Sequence, residues 1–204
     1  IINTTVAILN EKSDTITADE LRSKLDKIEK QTLYLSQTVE DFMSFYNPNQ
    51  TSSFFNVANT VEKALQITTL NSISSLNIMK NIDEKVTLKG VENEFIQALV
   101  CIFANVGDIL KTTNHANSKL SITMTQDSSG LTLNIQDNLG GIDTSIIGKI
   151  FDPYFSTKHK SLGTGLGLHI AKTIIENKLG GEIMVKNSIN EAGYGAQFSI
   201  RIKS

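Results

Sequence analysis

From position 21 the apolar and small residues fall on a strict seam: Leu21, Leu25, Ile28, Thr32, Leu35, Val39, Phe42 and Tyr46, in steps alternating four and three. A 3.5-residue repeat predicts a long helix, from about Ala18 to Tyr46, that supercoils left-handedly with a partner in a coiled coil or four-helix bundle. At ~1.5 Å per residue that helix is roughly 43 Å long. Residues 1–10 are apolar and helix-compatible but too few to cover it, so a second copy of the chain is expected against residues 18–46. The bland alternative is a lone amphipathic helix lying on the domain core. Residues 11–18 read as a turn. Asn47-Pro48-Asn49 ends the helix, because proline disfavours helical geometry in the residue before it.

Beyond the polar run to Ser53 the periodicity becomes mixed. Phe54–Val57 reads as a short strand, Ala58 to about Ser72 as a helix, and Leu76–Ile82 and Val86–Leu88 as strands. Glu92–Leu110 reads as a strongly apolar helix. Leu120–Thr125 and Leu131–Gln136 alternate apolar and polar residues, as half-buried strands do, and the Asp127-Ser128-Ser129-Gly130 turn between them makes a hairpin. Gly163–Asn177 begins glycine-rich and turns into an apolar helix. Glu182–Val185 and Gln197–Ile202 form another alternating pair. This order predicts an α+β fold, a two-layer α/β sandwich with helices on one face of a mixed, mostly antiparallel sheet, preceded by a remnant of a long helical hairpin. The expected domains are residues 1–47 and 54–204.

Composition changes the picture little. The 204 residues are 40% hydrophobic and 20% charged, with a net charge of −2, which is a globular composition. No basic stripe marks a nucleic-acid binder. No stretch approaches the ~18–20 apolar residues of a membrane span, and no signal peptide is visible. The chain begins at Ile1 rather than Met, so a longer parent is expected, acting in the cytoplasm and in some cases anchored in the membrane. The single Cys101 excludes an internal disulfide and, between Val100 and Ile102, reads as a small core residue.

Three places carry candidate chemistry. Asn105 interrupts an apolar helical stretch. It either bonds locally or offers a neutral oxygen to a hard cation such as Mg²⁺, which takes few protein ligands and leans on substrate phosphates; alone, the local bond is the simpler reading. Asp137 ends an alternating strand and precedes Asn138-Leu139-Gly140-Gly141-Ile142. Such a turn usually just connects elements, but a carboxylate there can accept from an exocyclic amine, and glycine lets a flat ring approach the backbone. Gly163-Thr164-Gly165-Leu166-Gly167-Leu168 opens a helix, where free N–H groups and the dipole favour phosphate. No Gly-Lys-Ser/Thr follows, so it is not a P-loop. Between the last two lies Phe151-Asp152-Pro153-Tyr154-Phe155-Ser156-Thr157-Lys158. It reads as a hinge anchored by Phe151 and Phe155, leading to a mobile lid carrying Lys158 and Lys160, or as an ordinary surface loop with its lysines in solvent.

Taken in order, these motifs resemble the ATP-binding domain of sensor histidine kinases over roughly Phe54–Lys203; the last two are specific together, the first two weak alone. The resemblance implies that ATP and Mg²⁺ bind under a lid. Asn105 would hold the Mg²⁺, Asp137 the adenine amine, and Gly141 and Ile142 would border the ring. Thr157, Lys158, Gly163, Thr164, Gly165, Leu166, Gly167 and Leu168 would surround the phosphates. Leu33–Phe45 is similar to the second helix of that family's dimerisation and phosphotransfer domain, and a response regulator receiver domain is the implied downstream partner. Leu139 stands where the motif has its first glycine, Asp108 where a basic residue is common, and Ala196 where threonine or serine is common.

The family's phosphoacceptor histidine sits near the start of the preceding helix. His115, His159 and His169 all lie far downstream, so the acceptor is expected before Ile1, this chain is not expected to autophosphorylate, and the three histidines read as surface residues. Two other functions compete. ATP hydrolases of the same fold place a glutamate general base one helical turn before the asparagine; here that position is Cys101, a poor base. A non-binding scaffold that dimerises through residues 21–46 is the other.

Overall fold

The structure, a computed structural model, describes residues 16–26, 28, 29, 32, 51–112, 117–157 and 164–203. The chain divides into two compact units, Ile1–Asn49 with Ser156–Thr164, and Gln50–Phe155 with Gly165–Ser204.

In the first unit the described residues from 18 to 32 are helical. The helix starts where it does because Thr17 and Glu20 form a reciprocal capping box: Glu20 N donates to Thr17 Oγ1 at 3.3 Å and Thr17 N to Glu20 Oε2 at 3.4 Å. Leu21 and Leu25 of the seam are 39% and 51% exposed. Leu35, Val39, Phe42 and Tyr46 lie outside the described residues.

The second unit is the expected sandwich. Its elements are β1 (Ser53–Asn56), α1 (Val57–Ile67), β2 (Leu76–Asn81), β3 (Thr87–Gly90), α2 (Glu92–Thr112), β4 (Ser118–Asp127), β5 (Gly130–Asp137), α3 (Gly167–Thr173), β6 (Glu182–Asn190) and β7 (Gly193–Ile202). Five strands form one sheet in the order β2-β4-β5-β7-β6, and β1 and β3 form a separate antiparallel pair. Only the β2–β4 pairing is parallel within the larger sheet. Alternation decides which face carries the core. Leu120 and Ile122 of β4, Leu133 and Ile135 of β5, Phe198 and Ile200 of β7 and Ile183 of β6 are buried and come into register across the sheet. The alternate positions, such as Thr123, Asn134 and Ser199, form a polar second face, where Ser199 Oγ donates to Asn134 Oδ1 at 2.6 Å.

The helices supply the other half of the core. α2 buries Phe95, Ala98, Leu99, Ile102, Phe103 and Val106, a stripe at helical spacing, and packs between α1 and α3. By length and composition Glu92–Lys111 of α2 meets the threshold for a membrane span, an 18-residue window within it having a mean hydropathy of 1.3, which corrects the expectation that no stretch comes close. Its apolar stripe is the centre of the domain core. α1 begins at an Asn56 cap, whose Oδ1 accepts from Asn59 N at 2.9 Å. It ends before Ser72, where the sequence placed its end, because Thr69 takes a left-handed φ of 55° and the chain restarts as a 3₁₀ turn, Leu70–Ser72. α3 begins at Gly167, after the glycine-rich string, and continues as a π-helical turn over Ile174–Lys178.

Candidate functional site

Asp137 ends β5 and is 4% exposed. A buried carboxylate needs partners, and two backbone groups supply them: Leu139 N donates to Oδ1 at 2.9 Å and Ala196 N donates to the same oxygen at 3.2 Å. These bonds hold the carboxylate in one orientation. The neighbouring strand comes close enough for this only because residue 195 is glycine. A Cβ there would overlap the carbonyl and carboxylate oxygens of Asp137 and lie 2.5 Å from its carbonyl carbon.

The turn after Asp137 is held at both ends. Asn138 Oδ1 accepts from Lys119 N at 2.7 Å, and its Nδ2 donates to Asn117 O at 3.1 Å. Leu139 is buried, and its backbone avoids the left-handed region; Gly140 and Gly141 take the positive φ values, 93° and 75°. The turn's conformational freedom therefore sits in those two glycines, and leucine at 139 carries no backbone strain. Ile142 is bonded in both directions to the Asn187 carboxamide on β6, its N–H donating to Oδ1 at 2.7 Å and its carbonyl accepting from Nδ2 at 2.6 Å. Beyond it, Asp143 accepts from Ser145 N and Oγ, both at 2.8 Å. Those bonds, the backbone one foremost, hold its carboxyl below the usual range.

The glycine-rich string lies against two other motifs. A Cβ on Gly165, where φ is 68°, would sit 2.5 Å from the Tyr154 carbonyl carbon and 2.7 Å from the Phe155 oxygen. The backbone of Gly165 thus lies directly against that of Tyr154 and Phe155. A Cβ on Gly167 would lie 3.9 Å from Cys101 Cβ on α2, so the start of α3 sits one turn from Asn105. The Asn105 amide donates to Cys101 O at 3.0 Å, which is the local bond expected of an asparagine in an apolar helix. The bond uses the donor half of the amide, and the oxygen is the half a cation takes. Asp108 is 3.5 Å from Lys111 Nζ, which gives its carboxylate a counter-charge.

Phe151 ties the two halves of the site together. Its ring meets Phe198 of β7 edge-on with centroids 6.4 Å apart, its face carries Lys172 Nζ at 5.5 Å, and its carbonyl lies 3.1 Å from His169 Nδ1 on α3. The expectation of a surface role for His169 is thereby corrected: the ring is a strut between α3 and the Phe151 turn. Leu166 caps α3 by accepting from Ile170 N at 2.8 Å, and Leu168 is half-buried in its first turn.

Of the expected site residues, Asn105, Asp137, Gly141, Ile142, Gly165, Leu166, Gly167 and Leu168 belong to the second unit. Thr157 and Thr164 belong with the segment they flank to the first. Lys158 and Gly163, with His115 and His159, lie outside the described residues. A cleft of about 640 Å³ on the polar face of the sheet is lined by Thr123, Asn134, Gln136 and Gln197 among others, and by none of the expected site residues. Its amides are engaged in their own pairs: Gln136 Nε2 donates to Ser188 O and Gly193 O at 3.2 and 3.0 Å, and Gln197 Nε2 to Asn134 Oδ1 at 3.1 Å. Sequence reasoning missed Asn187 and Gly195. No local signal marks either, because their partners lie 45 residues or more away. Among the described residues no group of three or more His, Cys, Asp or Glu could hold a metal ion.

Residues 90–204 match the family described as histidine kinase-, DNA gyrase B- and HSP90-like ATPase. The chain is 35% identical over 130 residues to the signal transduction histidine-protein kinase AtoS of Escherichia coli, covering 64% of this chain and 18% of that protein. It is 29% identical over 122 residues to the two-component sensor PprA of Pseudomonas aeruginosa, covering 58% of this chain and 13% of that protein. The chain thus spans less than a fifth of the length of these relatives. Among solved structures it is similar to histidine kinase ThkA in complex with the response regulator protein TrrA, with a TM-score of 0.64 at 19% identity, over 99% of this chain and 58% of that one, a likeness of fold.

Proposed function

The chain belongs to the histidine kinase-, DNA gyrase B- and HSP90-like ATPase family, and on that premise we propose that it is the catalytic region of a sensor histidine kinase, binding ATP with Mg²⁺ and sending the γ-phosphoryl group to a histidine. The observation that carries this reading is the buried Asp137 carboxylate, fixed by Leu139 and Ala196 N–H groups, in the same domain as the glycine-opened helix α3.

The fit of a nucleotide rests on those groups. Asp137 accepts from the adenine amine, and the turn through Gly141 and Ile142 borders the ring. Backbone N–H groups of Gly165, Leu166, Gly167 and Leu168 are the donors offered to the phosphates. The Asn105 amide oxygen would be the protein's ligand to the cation, which when bound would neutralise phosphate oxygens. The protein's contribution is positioning and charge stabilisation of a phosphoryl group in transfer. The bond to the ADP oxygen breaks as a bond to imidazole nitrogen forms, and the phosphoryl group then passes to an aspartate of a response regulator. ThkA, a neighbour in fold, is seen with such a partner. The chain works in the cytoplasm as a homodimer through residues 18–46.

The histidine that accepts the phosphoryl group is none of this chain's three. His169 is engaged with Phe151. Incubation of the chain with γ-labelled ATP is expected to yield no acid-labile phosphate; incorporation would overturn that assignment. The hydrolase reading is disfavoured by Cys101. It stands one turn before Asn105, where a water-activating carboxylate would be needed, and its carbonyl is taken up by the Asn105 amide. Steady ATP hydrolysis lost in Cys101→Ala would restore that reading.

A further inference from the structure

Asn187 is a side chain outside the recognised motifs that grips the turn following Asp137. The turn has no regular secondary structure between Asn138 and Asp143, and a segment without a ladder must be ordered by other bonds or by its ligand. Asn187 provides two such bonds to one residue, accepting from Ile142 N at 2.7 Å and donating to Ile142 O at 2.6 Å. Its carboxamide also fills the space where residue 141 would carry a Cβ: that atom would lie 2.6 Å from Asn187 Oδ1 and 2.9 Å from Cγ. Glycine at 141 is thus needed twice, for a φ of 75° and to admit this amide.

We propose that Asn187 is a positioning residue for the nucleotide, holding the Gly141–Ile142 peptide against β6 so that the turn beside Asp137 is formed before the ligand arrives. The inference rests on the reading that this site binds ATP. The chemistry selects asparagine. Aspartate accepts from Ile142 N but sets an anion against Ile142 O, serine is too short to bond both groups, and alanine bonds neither. A preformed turn spares the ligand the cost of ordering it. Loss of both bonds is therefore read as weaker binding in a protein that stays folded.

The test uses the chain with Asn187→Ala, Asn187→Asp and Asn187→Ser, and Lys186→Ala on the opposite face of the same strand as control. ADP with Mg²⁺ is titrated calorimetrically, and amide hydrogen exchange is followed without nucleotide. The expected result is about a tenfold loss of ADP affinity in the alanine and aspartate variants, with Lys186→Ala unchanged. Exchange at Ile142 speeds up in those variants while the core amides of Ile135 and Phe198 keep their rates. A purely structural role would instead accelerate all three amides together. Should the alanine variant fail to fold, the serine variant carries the same expectation. Wild type binding ADP with every variant within twofold of it overturns the role of Asn187 and leaves the ATP reading standing. Failure of wild type to bind ADP overturns both, since there is then nothing to position.

Discussion

Replacing Gly195 with alanine tests how tightly β7 is fitted to the Asp137 carboxylate. The new methyl group would overlap the Asp137 carbonyl and carboxylate oxygens and stand 2.5 Å from the carbonyl carbon. These are backbone and a buried, hydrogen-bonded side chain, so relief requires the two strands to part. Overpacking of a well-fitted core costs about 1–3 kcal/mol. Parting the strands also strains the bond from Ala196 N to Oδ1, and a buried polar group that loses a partner costs about 1–3 kcal/mol more. The combined destabilisation is about 2–6 kcal/mol. Gly148 is the control, because a Cβ there meets nothing within 4 Å and its φ is ordinary; alanine at 148 is expected to stabilise by about 0.5 kcal/mol through the unfolded chain. Urea unfolding followed by far-ultraviolet circular dichroism measures both. A Gly195→Ala variant within about 1 kcal/mol of wild type would refute the close fit and with it the account of how Asp137 is oriented.

Two further substitutions probe stability. Thr69 is an exposed β-branched residue at a φ of 55°, so Thr69→Gly relieves strain and raises the unfolding free energy by about 1 kcal/mol; a loss of stability would contradict it. Glu92 at the start of α2 has its carboxyl lowered from 4.5, chiefly by the hydrogen bond from Lys63 at 2.7 Å and further by Thr60, with burial acting the other way. A lowered folded value contributes stability that is present above the unfolded value and lost as pH falls through the folded one. Glu92→Gln is therefore expected to cost about 0.5–1 kcal/mol at pH 7, with the difference from wild type shrinking once pH falls below 4.5 and lost as it passes through the lower folded value. A difference that persists undiminished at low pH would show that the charge is not its source.

Much of the fold was legible because the strands keep strict alternation and α2 keeps a helical stripe. The features that escaped are those set by distant partners or by backbone geometry. Nothing local announces that Thr69 turns left-handed and splits the stretch from Ala58 to Ser72. β6 runs to Asn190, past the expected Val185, because Asn187 occupies an inward position that an alternation count scores as polar and therefore as a break. His169 read as a surface residue for the same reason: its partner, the Phe151 carbonyl, is a backbone group 18 residues away. Within the candidate site the motifs singled out Asp137, Gly165 and Gly167, whereas the contacts of Asn187 and Gly195 became visible only when β6 and β7 were laid beside the end of β5. Leu139 illustrates the converse: it broke the expected glycine pattern, yet the turn's positive φ values fall on the next two residues.

The central claim is that Asp137 is the adenine acceptor of an ATP site, and calorimetric titration with ADP and Mg²⁺ of the chain beside Asp137→Asn tests it most directly. Asparagine can keep its oxygen toward the Leu139 and Ala196 N–H groups, which turns its NH₂ toward the adenine amine, donor against donor. The account predicts saturable binding by the wild type and a loss of at least about tenfold in the variant; equal binding by both, or none by either, would contradict it.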